Sequence, residues 1–399
     1  MLSAYAIRII AIPILVLTLG GGDFSANDAF AFEDDKNYHE IGKELASSWR
    51  AGSPVTINEI DHRYAKNPAF PMMIGAVYYL FGPHNIIVRI INAVAGSCMV
   101  GLTYDVGRRL AGLTVARTGA FILLLLPDHI FWSSLAFKDV LLGLFSLVSL
   151  RLLLLEFQGG GTFWKRLGLI LSIATSAFFR IETGLVLGIL AGGLFAQVGL
   201  KRGNAIPAML SVAGALIVVF LFLQGGQDGP IHALLTTGAE ESLPSALPGE
   251  IDSGSDGFLS VVFIHGWGDI WRLPFAVVAA LVVPLPLAAL QAETAAEVVL
   301  RLVSIPWSFI ALVAVFGAWR ALAVHSARAI LAFATLQLTG LALFLQAFSP
   351  ERHRVELYGP LVIFVAMALT SRSMRSIALM GSSIAWITLT LITFVLTIT

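Results

Sequence analysis

Apolar stretches of about 20 residues recur along the whole chain, and polar segments separate them. A stretch of that length is enough for an α-helix to cross the hydrocarbon core of a bilayer. Only 13% of the residues are charged, whereas about a quarter are charged in an average soluble domain. Inside a bilayer the backbone must satisfy its own hydrogen bonds, and helices do this within one stretch. We therefore predict an all-α polytopic membrane protein, with residues 1–399 as a single integral membrane domain.

The predicted spans cover residues 4–20, 85–105, 110–127, 138–156, 167–199, 204–223, 300–318, 328–347, 358–371 and 376–397. Basic pairs such as Arg108-Arg109 and Lys165-Arg166 lie in short loops, which usually face the cytoplasm. With these loops inside, the long piece 167–199 must cross twice, with Arg180 at its apex. The proline-rich piece 273–290 must then be re-entrant or interfacial. About eleven crossings result, with the N-terminus inside and the C-terminus outside.

Two long polar segments fall on the outer face in this topology. The first outer loop, residues 21–84, contains Ile41, Leu45 and Trp49 at helical spacing, which predicts an amphipathic helix on the membrane surface. The second, residues 224–271, is rich in acids and has no lysine or arginine between 225 and 271, which predicts an acidic outer loop.

The first span has a second interpretation as a cleaved signal peptide, because Ala29-Phe30-Ala31 is loosely similar to a cleavage site. A retained span is the simpler reading, since that site lies far from the apolar run. The formal net charge of zero indicates no nucleic-acid surface, and the single Cys98 excludes a disulfide within the chain.

Charged residues in or beside membrane spans are costly, so each one marks a candidate site. In this topology they gather near the outer face, and they are Asp34, Asp35, Lys138, Asp139, Arg180, Arg352 and Arg354. Arg89, near the outer end of its span, is interpreted instead as snorkelling to the interface. Acids and bases that meet at one leaflet suit a substrate with a phosphate and a lipid tail.

Asp34-Asp35-Lys36-Asn37-Tyr38 resembles the D-E-x-x-Y element in the first outer loop of GT-C fold glycosyltransferases, which include protein O-mannosyltransferases and lipid A aminoarabinose transferases. The segments that follow have a similar order, and they are Asn67-Pro68-Ala69-Phe70-Pro71, Tyr79-Leu80-Phe81-Gly82, Gly107-Arg108-Arg109-Leu110-Ala111-Gly112 and Lys138-Asp139. The resemblance covers about residues 1–200, and later only Arg352-His353-Arg354 ahead of Tyr358 is similar. The second acid is Asp35 where the family has glutamate, and Glu33 precedes the pair. The resemblance therefore leaves open, by one position, which carboxylate corresponds to the catalytic one.

The resemblance implies that a sugar moves from a polyprenyl phosphate to an acceptor hydroxyl on a glycan, lipid or protein, with inversion. An aspartate, Asp34 or Asp35, would be the general base. The residues expected to contact the donor are Tyr38 and His39 at the sugar and Lys138, Asp139, Arg180, Arg352 and Arg354 at the phosphate end. No cofactor is expected, with a divalent cation at Glu33, Asp34 and Asp35 as the alternative.

Two other functions fit parts of this pattern. An O-antigen polymerase or ligase also uses lipid-linked sugars and outer-face arginines, but its hallmark is a large late loop. In this chain the diagnostic acids come instead in the first loop. A flippase or transporter predicts internal repeats and charges at the midplane, whereas here no repeat is evident and the charges gather at one leaflet. The favoured function is a glycosyltransferase in a bacterial inner membrane, with its active site facing the periplasm or exterior.

Overall fold

The computed structural model describes residues 1–19, 33–61, 64, 67–201, 271–282, 295–324, 327–344 and 353–398. The regular secondary structure in these ranges is helical, without a β-strand. The predicted span 204–223, nearly all of the acidic loop 224–271, and Arg352 lie outside the described residues.

Fifteen α-helices are described. Their bounds are α1 Leu2–Leu19, α2 Glu33–Arg50, α3 Ile57–Ile60, α4 Ala69–Phe81, α5 Asn85–Ala111, α6 Leu113–Leu125, α7 Pro127–Ser133, α8 Lys138–Phe157, α9 Phe163–Phe179, α10 Ile181–Lys201, α11 Leu273–Val282, α12 Ala295–Ala321, α13 Arg328–Phe344, α14 Tyr358–Leu369 and α15 Arg372–Ile398. A 3₁₀ turn, Arg354–Leu357, precedes α14.

Several of these helices are long and apolar enough to cross a bilayer. Among the described residues, three single helices qualify, and they are Asn85–Ala111, Lys138–Phe157 and Val298–Ala321. Two bent pairs raise the number to five, with α6 and α7 meeting at 61° and α14 and α15 at 115°. The multi-pass membrane class is thus confirmed, and the eleven crossings stay a prediction.

The hairpin predicted for residues 167–199 is present as α9 and α10. Arg180 between them is extended (φ −158°, ψ 112°), which ends α9 and lets the chain reverse. Gly184 then lies so close to Ala177 that a Cβ atom would overlap it. Leu169 near the start of α9 and Leu194 near the end of α10 share an apolar cluster with Leu153 of α8.

The predicted surface helix is α2, and it packs against α4. Ile41 and Leu45, which the helical spacing placed on one apolar face, are buried in a cluster with Ile57 of α3. The helices approach closely at two glycines, because a Cβ at Gly75 would come within 2.9 Å of Leu45, and one at Gly42 would overlap Ile74. Helix α2 starts at Glu33, so Asp34 and Asp35 lie in its first turn, where the helix dipole favours negative charge. This corrects the assignment of these acids to a loop.

The two ends of the bundle differ in charge and in their aromatic residues. We call the end at which α5, α8 and α14 begin the site end. At the opposite end, Arg109 and Arg151 both donate to Asp105, with Nε–Oδ2 distances of 3.2 and 2.6 Å. Trp164 and Trp319 are exposed there, as aromatic side chains at a membrane interface are.

Candidate active site

A buried ion triad joins three elements at the site end. Arg180, at the apex of the hairpin, donates from Nη2 to Asp139 Oδ1 at 2.6 Å and from Nη1 to Glu356 Oε1. Asp139 lies in the first turn of α8, and Glu356 lies in the 3₁₀ turn. Each of the three side chains is at most 7% exposed. The guanidinium is therefore shared between two carboxylates inside the protein.

Glu356 anchors two further helices to the same turn. Its Oε2 atom accepts hydrogen bonds from Thr183 Oγ1 of α10 at 2.7 Å and from Gln337 Nε2 of α13 at 2.8 Å. Because both carboxylate oxygens accept from donors, the geometry suits the ionised form. On the other side of the triad, His353 Nδ1 lies 3.4 Å from Asp139 Oδ1.

Arg354 lies next to the triad and is fully buried. It donates from Nη1 to the Leu281 carbonyl at 3.2 Å and lies over the Trp307 ring, with 5.7 Å from Cζ to the centroid. Its Nη2 atom lies 3.9 Å from Asp128 Oδ2. Asp128 accepts a 2.5 Å hydrogen bond from the Tyr358 hydroxyl. Arg354, Asp128, Tyr358 and Trp307 thus form a second buried group beside the triad.

The two acids of α2 have different surroundings. Asp34 is half-buried, and its Oδ1 atom accepts a 2.7 Å hydrogen bond from the Tyr64 hydroxyl. Asn37 Nδ2 donates to the same hydroxyl oxygen at 3.1 Å. Asp35 is fully buried and forms an ion pair with Arg89, at 3.5 Å between Oδ2 and Nη2. The snorkelling interpretation of Arg89 is therefore wrong, because its side chain is buried against α2.

Tyr38 and His39, predicted to line a sugar pocket, are buried between α2 and its neighbours. The Tyr38 ring packs edge-on against Tyr64 and Phe70, at centroid distances of 5.1 and 4.9 Å. His39 Nδ1 is 2.7 Å from the Tyr78 hydroxyl of α4. Both side chains fix α2 on the bundle, and their contact with a sugar stays a prediction.

Short connections place the acids of α2 beside the triad. One helical turn after Arg89, Asn92 Nδ2 donates to the carbonyls of Leu135 and Phe137 at 2.7 and 2.8 Å, directly before Lys138. Lys138 is buried at the start of α8. From α4, Phe70 packs against Phe179, the residue before Arg180, at 6.4 Å between centroids. The α2 acids and the triad thus occupy neighbouring elements at one end of the bundle.

The sequence singled out most, but not all, of these groups. Asp139, Arg180 and Arg354 lie near one another, and Asp139 bonds Arg180; their contact with a donor stays a prediction. The missed members are Asp128, Glu356 and the paired role of Arg89. Asp128 and Glu356 carried a signal that was overlooked, because each is an acid beside a predicted span.

Within the described ranges, no group of three or more histidine, cysteine, aspartate or glutamate side chains is arranged to hold a metal ion. The acids of the site contact arginine, tyrosine, threonine and amide donors. These acids therefore have ion-pair and hydrogen-bond partners within the chain.

An apolar cavity of about 610 Å³ lies between α5, α8 and α9. Its walls include Cys98 of α5, Phe145 of α8 and Leu171 of α9. The Phe145 ring lies 5.9 Å from that of Phe179, beside the apex of the hairpin. One wall of the cavity therefore packs beside the apex of the hairpin.

The apolar helical bundle, the amphipathic helix that follows α1, and the buried acids and cations at one end together resemble the organisation of the GT-C fold. No protein-family model matches the chain, and no curated protein matches it. The fold is similar to that of ArnT from Cupriavidus metallidurans, in a crystal structure with bound undecaprenyl phosphate. The TM-score is 0.51 at 15% sequence identity, over 95% of this chain and 63% of that one. The GT-C fold expected from the sequence is thereby confirmed, in a chain that spans less than two thirds of the length of ArnT.

Proposed function

We propose that this protein is a glycosyltransferase that moves a sugar from a polyprenyl phosphate to an acceptor hydroxyl. The observation that carries the proposal is the buried acid–base cluster at one end of an apolar bundle with the GT-C fold. Support also comes from the ArnT structure, which holds undecaprenyl phosphate in a similar fold. The acceptor hydroxyl belongs to a glycan, a lipid or a protein.

The donor phosphate is assigned to the buried cations. Negative charge grows on the leaving phosphate as the bond to the sugar breaks, and fixed cations in a dry site stabilise that charge strongly. Arg354 is the leading ligand, because it is a fully buried guanidinium beside the triad. Lys138 lies nearby as a point charge, and Arg180 supports the site from the triad. Arg352 is included as a second arginine of the same motif.

Asp34 is assigned as the general base and Asp35 as the residue that orients it. A base must reach a substrate hydroxyl, and the half-buried Asp34 is the more accessible of the two. The Tyr64 hydroxyl fixes one of its oxygens. Asp35, buried against Arg89, holds the first turn of α2 on α5. Attack by the activated hydroxyl from the face opposite the phosphate inverts the anomeric carbon.

The lipid tail of the donor is assigned to the apolar cavity between α5, α8 and α9. The hydroxyl groups on its wall bond within the bundle, since Ser172 donates to Leu169 O at 2.9 Å and Thr175 to Leu171 O at 2.8 Å. The wall therefore offers mainly apolar surface to a bound molecule, which suits an isoprenoid chain.

The orientation is testable by cysteine labelling, because Cys98 is the single cysteine. In a Cys98→Ser background, Lys43→Cys on the exposed face of α2 should react with a membrane-impermeant maleimide from outside intact cells. Trp164→Cys, at the other end of the bundle, should react after the cells are opened. The reverse pattern would contradict an active site on the outer face.

The proposed function itself is tested by transfer from a radiolabelled polyprenyl-phosphate sugar to membrane acceptors. Asp34→Asn should lower the rate at least about 100-fold, as removal of a general base does. Asp35→Asn should lower it less, through misplacement of the first turn of α2. Glu40→Gln, at an exposed acid of the same helix, is the matched control. Full activity in both aspartate variants would refute the mechanism.

A further inference from the structure

We propose that Arg8 of the amino-terminal helix is a positioning residue, which fixes α7 and thereby the Asp128–Tyr358–Arg354 group of the candidate site. The inference rests on the proposed function for its catalytic consequence. Its structural part, that α1 holds α7 in place, stands on geometry alone.

Arg8 is fully buried in an otherwise apolar helix, and its guanidinium bridges α1 to α7. It donates from Nε to Ser133 Oγ at 2.8 Å and from Nη2 to His129 Nδ1 at 2.6 Å. Its Nη1 atom donates to the Ala4 carbonyl of its own helix at 2.8 Å. Residues 129 and 133 are one helical turn apart, so a single planar group holds one face of α7.

A glycine in α5 makes room for this bridge. A Cβ atom on Gly96 would lie 2.9 Å from Arg8 Nε and 2.6 Å from Ser133 Cβ. Real Cβ atoms do not approach other atoms that closely, so the guanidinium fits between α5 and α7 because position 96 has no side chain. Helices α1, α5 and α7 thus pack around the buried guanidinium of Arg8.

The hydrogen bond from Arg8 also determines the tautomer of His129. A guanidinium has only donors, so His129 Nδ1 must accept and the ring proton must lie on Nε2. The His129 ring packs edge-on against Tyr358, at 5.9 Å between centroids. Its neighbour Asp128 accepts from the hydroxyl of that same tyrosine. By holding His129, Arg8 therefore holds its neighbour Asp128, whose Oδ2 atom accepts from Tyr358 and lies 3.9 Å from Arg354 Nη2.

A role in stability alone is a poor explanation for a buried arginine here. Transfer of a guanidinium out of water is costly, and a methionine would fill a similar volume without that cost. What arginine adds is a fixed fork that reaches two side chains of α7 at once. An apolar residue would pack α1 against α5 but would remove the polar bridge that holds this face of the seven-residue α7.

The test combines hydrogen exchange with transfer kinetics. In Arg8→Met, amide exchange in α7 should rise at least about tenfold, and transfer should fall about 10–100-fold through misplacement of the site. Arg8→Lys should give an intermediate effect, since a point charge cannot bridge both partners. The matched control is Arg109→Met at the opposite end, which should leave α7 exchange and transfer unchanged.

A pair of substitutions at position 129 keeps the test decisive even if the Arg8 variants fold poorly. His129→Asn places an amide oxygen near the Nδ1 position, and it should keep exchange and transfer within about threefold of wild type because an acceptor for Arg8 is retained. His129→Gln moves the amide away and should behave as Arg8→Met. Equal impairment of both, or unchanged α7 exchange in Arg8→Met, would overturn the proposal. Failure of the wild type to transfer sugar would refute the proposed function, while the exchange data would still decide the role of Arg8.

Discussion

Removal of the shared guanidinium of the triad should destabilise the protein strongly. In Arg180→Met, the carboxylates of Asp139 and Glu356 are left buried without the cation between them. Breaking a buried ion pair by removing one partner costs about 3–5 kcal/mol. Glu356 keeps its bonds from Thr183 and Gln337, so we expect a loss near 3 kcal/mol, at the lower end of that range.

A second substitution should recover part of that loss. Glu356→Gln alone keeps the shape of the side chain and should cost about 1–3 kcal/mol, since one charged acceptor is lost. The double variant Arg180→Met, Glu356→Gln leaves one buried charge instead of two. Its loss should therefore be smaller than the sum of the single losses, by about 1–3 kcal/mol.

The free energy of unfolding is measured by denaturant titration of the purified protein in mixed micelles, with tryptophan fluorescence as the probe. Lys43→Met is the control, because Lys43 pairs with Glu40 on an exposed surface and should contribute at most about 1 kcal/mol. An Arg180→Met variant as stable as Lys43→Met, or strict additivity in the double variant, would refute the triad as described.

Two further perturbations probe other parts of the fold. Tyr64→Phe should lower the rate of sugar transfer about tenfold, because one hydrogen bond to the Asp34 carboxylate is lost while the ring packing stays; an unchanged rate would exclude a role for this hydroxyl. Gly42→Ala should lower the free energy of unfolding by about 1–3 kcal/mol, because the added methyl overlaps Ile74. Gly188→Ala, in open space within α10, should be neutral or stabilising by up to about 1 kcal/mol; equal effects of the two alanines would contradict the close approach of α2 and α4.

The helices were predictable where the apolar pattern was continuous. The start of α5 at Asn85 and of α8 at Lys138 agree with the predicted spans. The 61° bend between α6 and α7 was not predicted, although Pro127 marks it. A hydropathy pattern measures length and polarity, so it does not register a change of direction inside one apolar run.

The members of the site were easier to predict than their partners. Costly charges pointed to Asp139, Arg180 and Arg354, and the positive-inside pattern brought them to one end. Which acid bonds Arg180 depends on how distant helices pack, since Glu356 lies 176 residues further along the chain. The sequence does not distinguish a snorkelling arginine from a buried one near the end of a span. For Arg89 the difference depends on the packing of α2 over its side chain.

The central claim, a lipid phosphate bound at the site end, is tested most directly by photo-crosslinking. Purified protein is irradiated with undecaprenyl phosphate that carries a diazirine in its first isoprene unit, and the adducts are mapped by mass spectrometry. We predict adducts at the start of α8 and in residues 353–358, with a marked loss in Arg354→Gln. Adducts concentrated around Arg109 and Arg166, at the opposite end of the bundle, would contradict the claim.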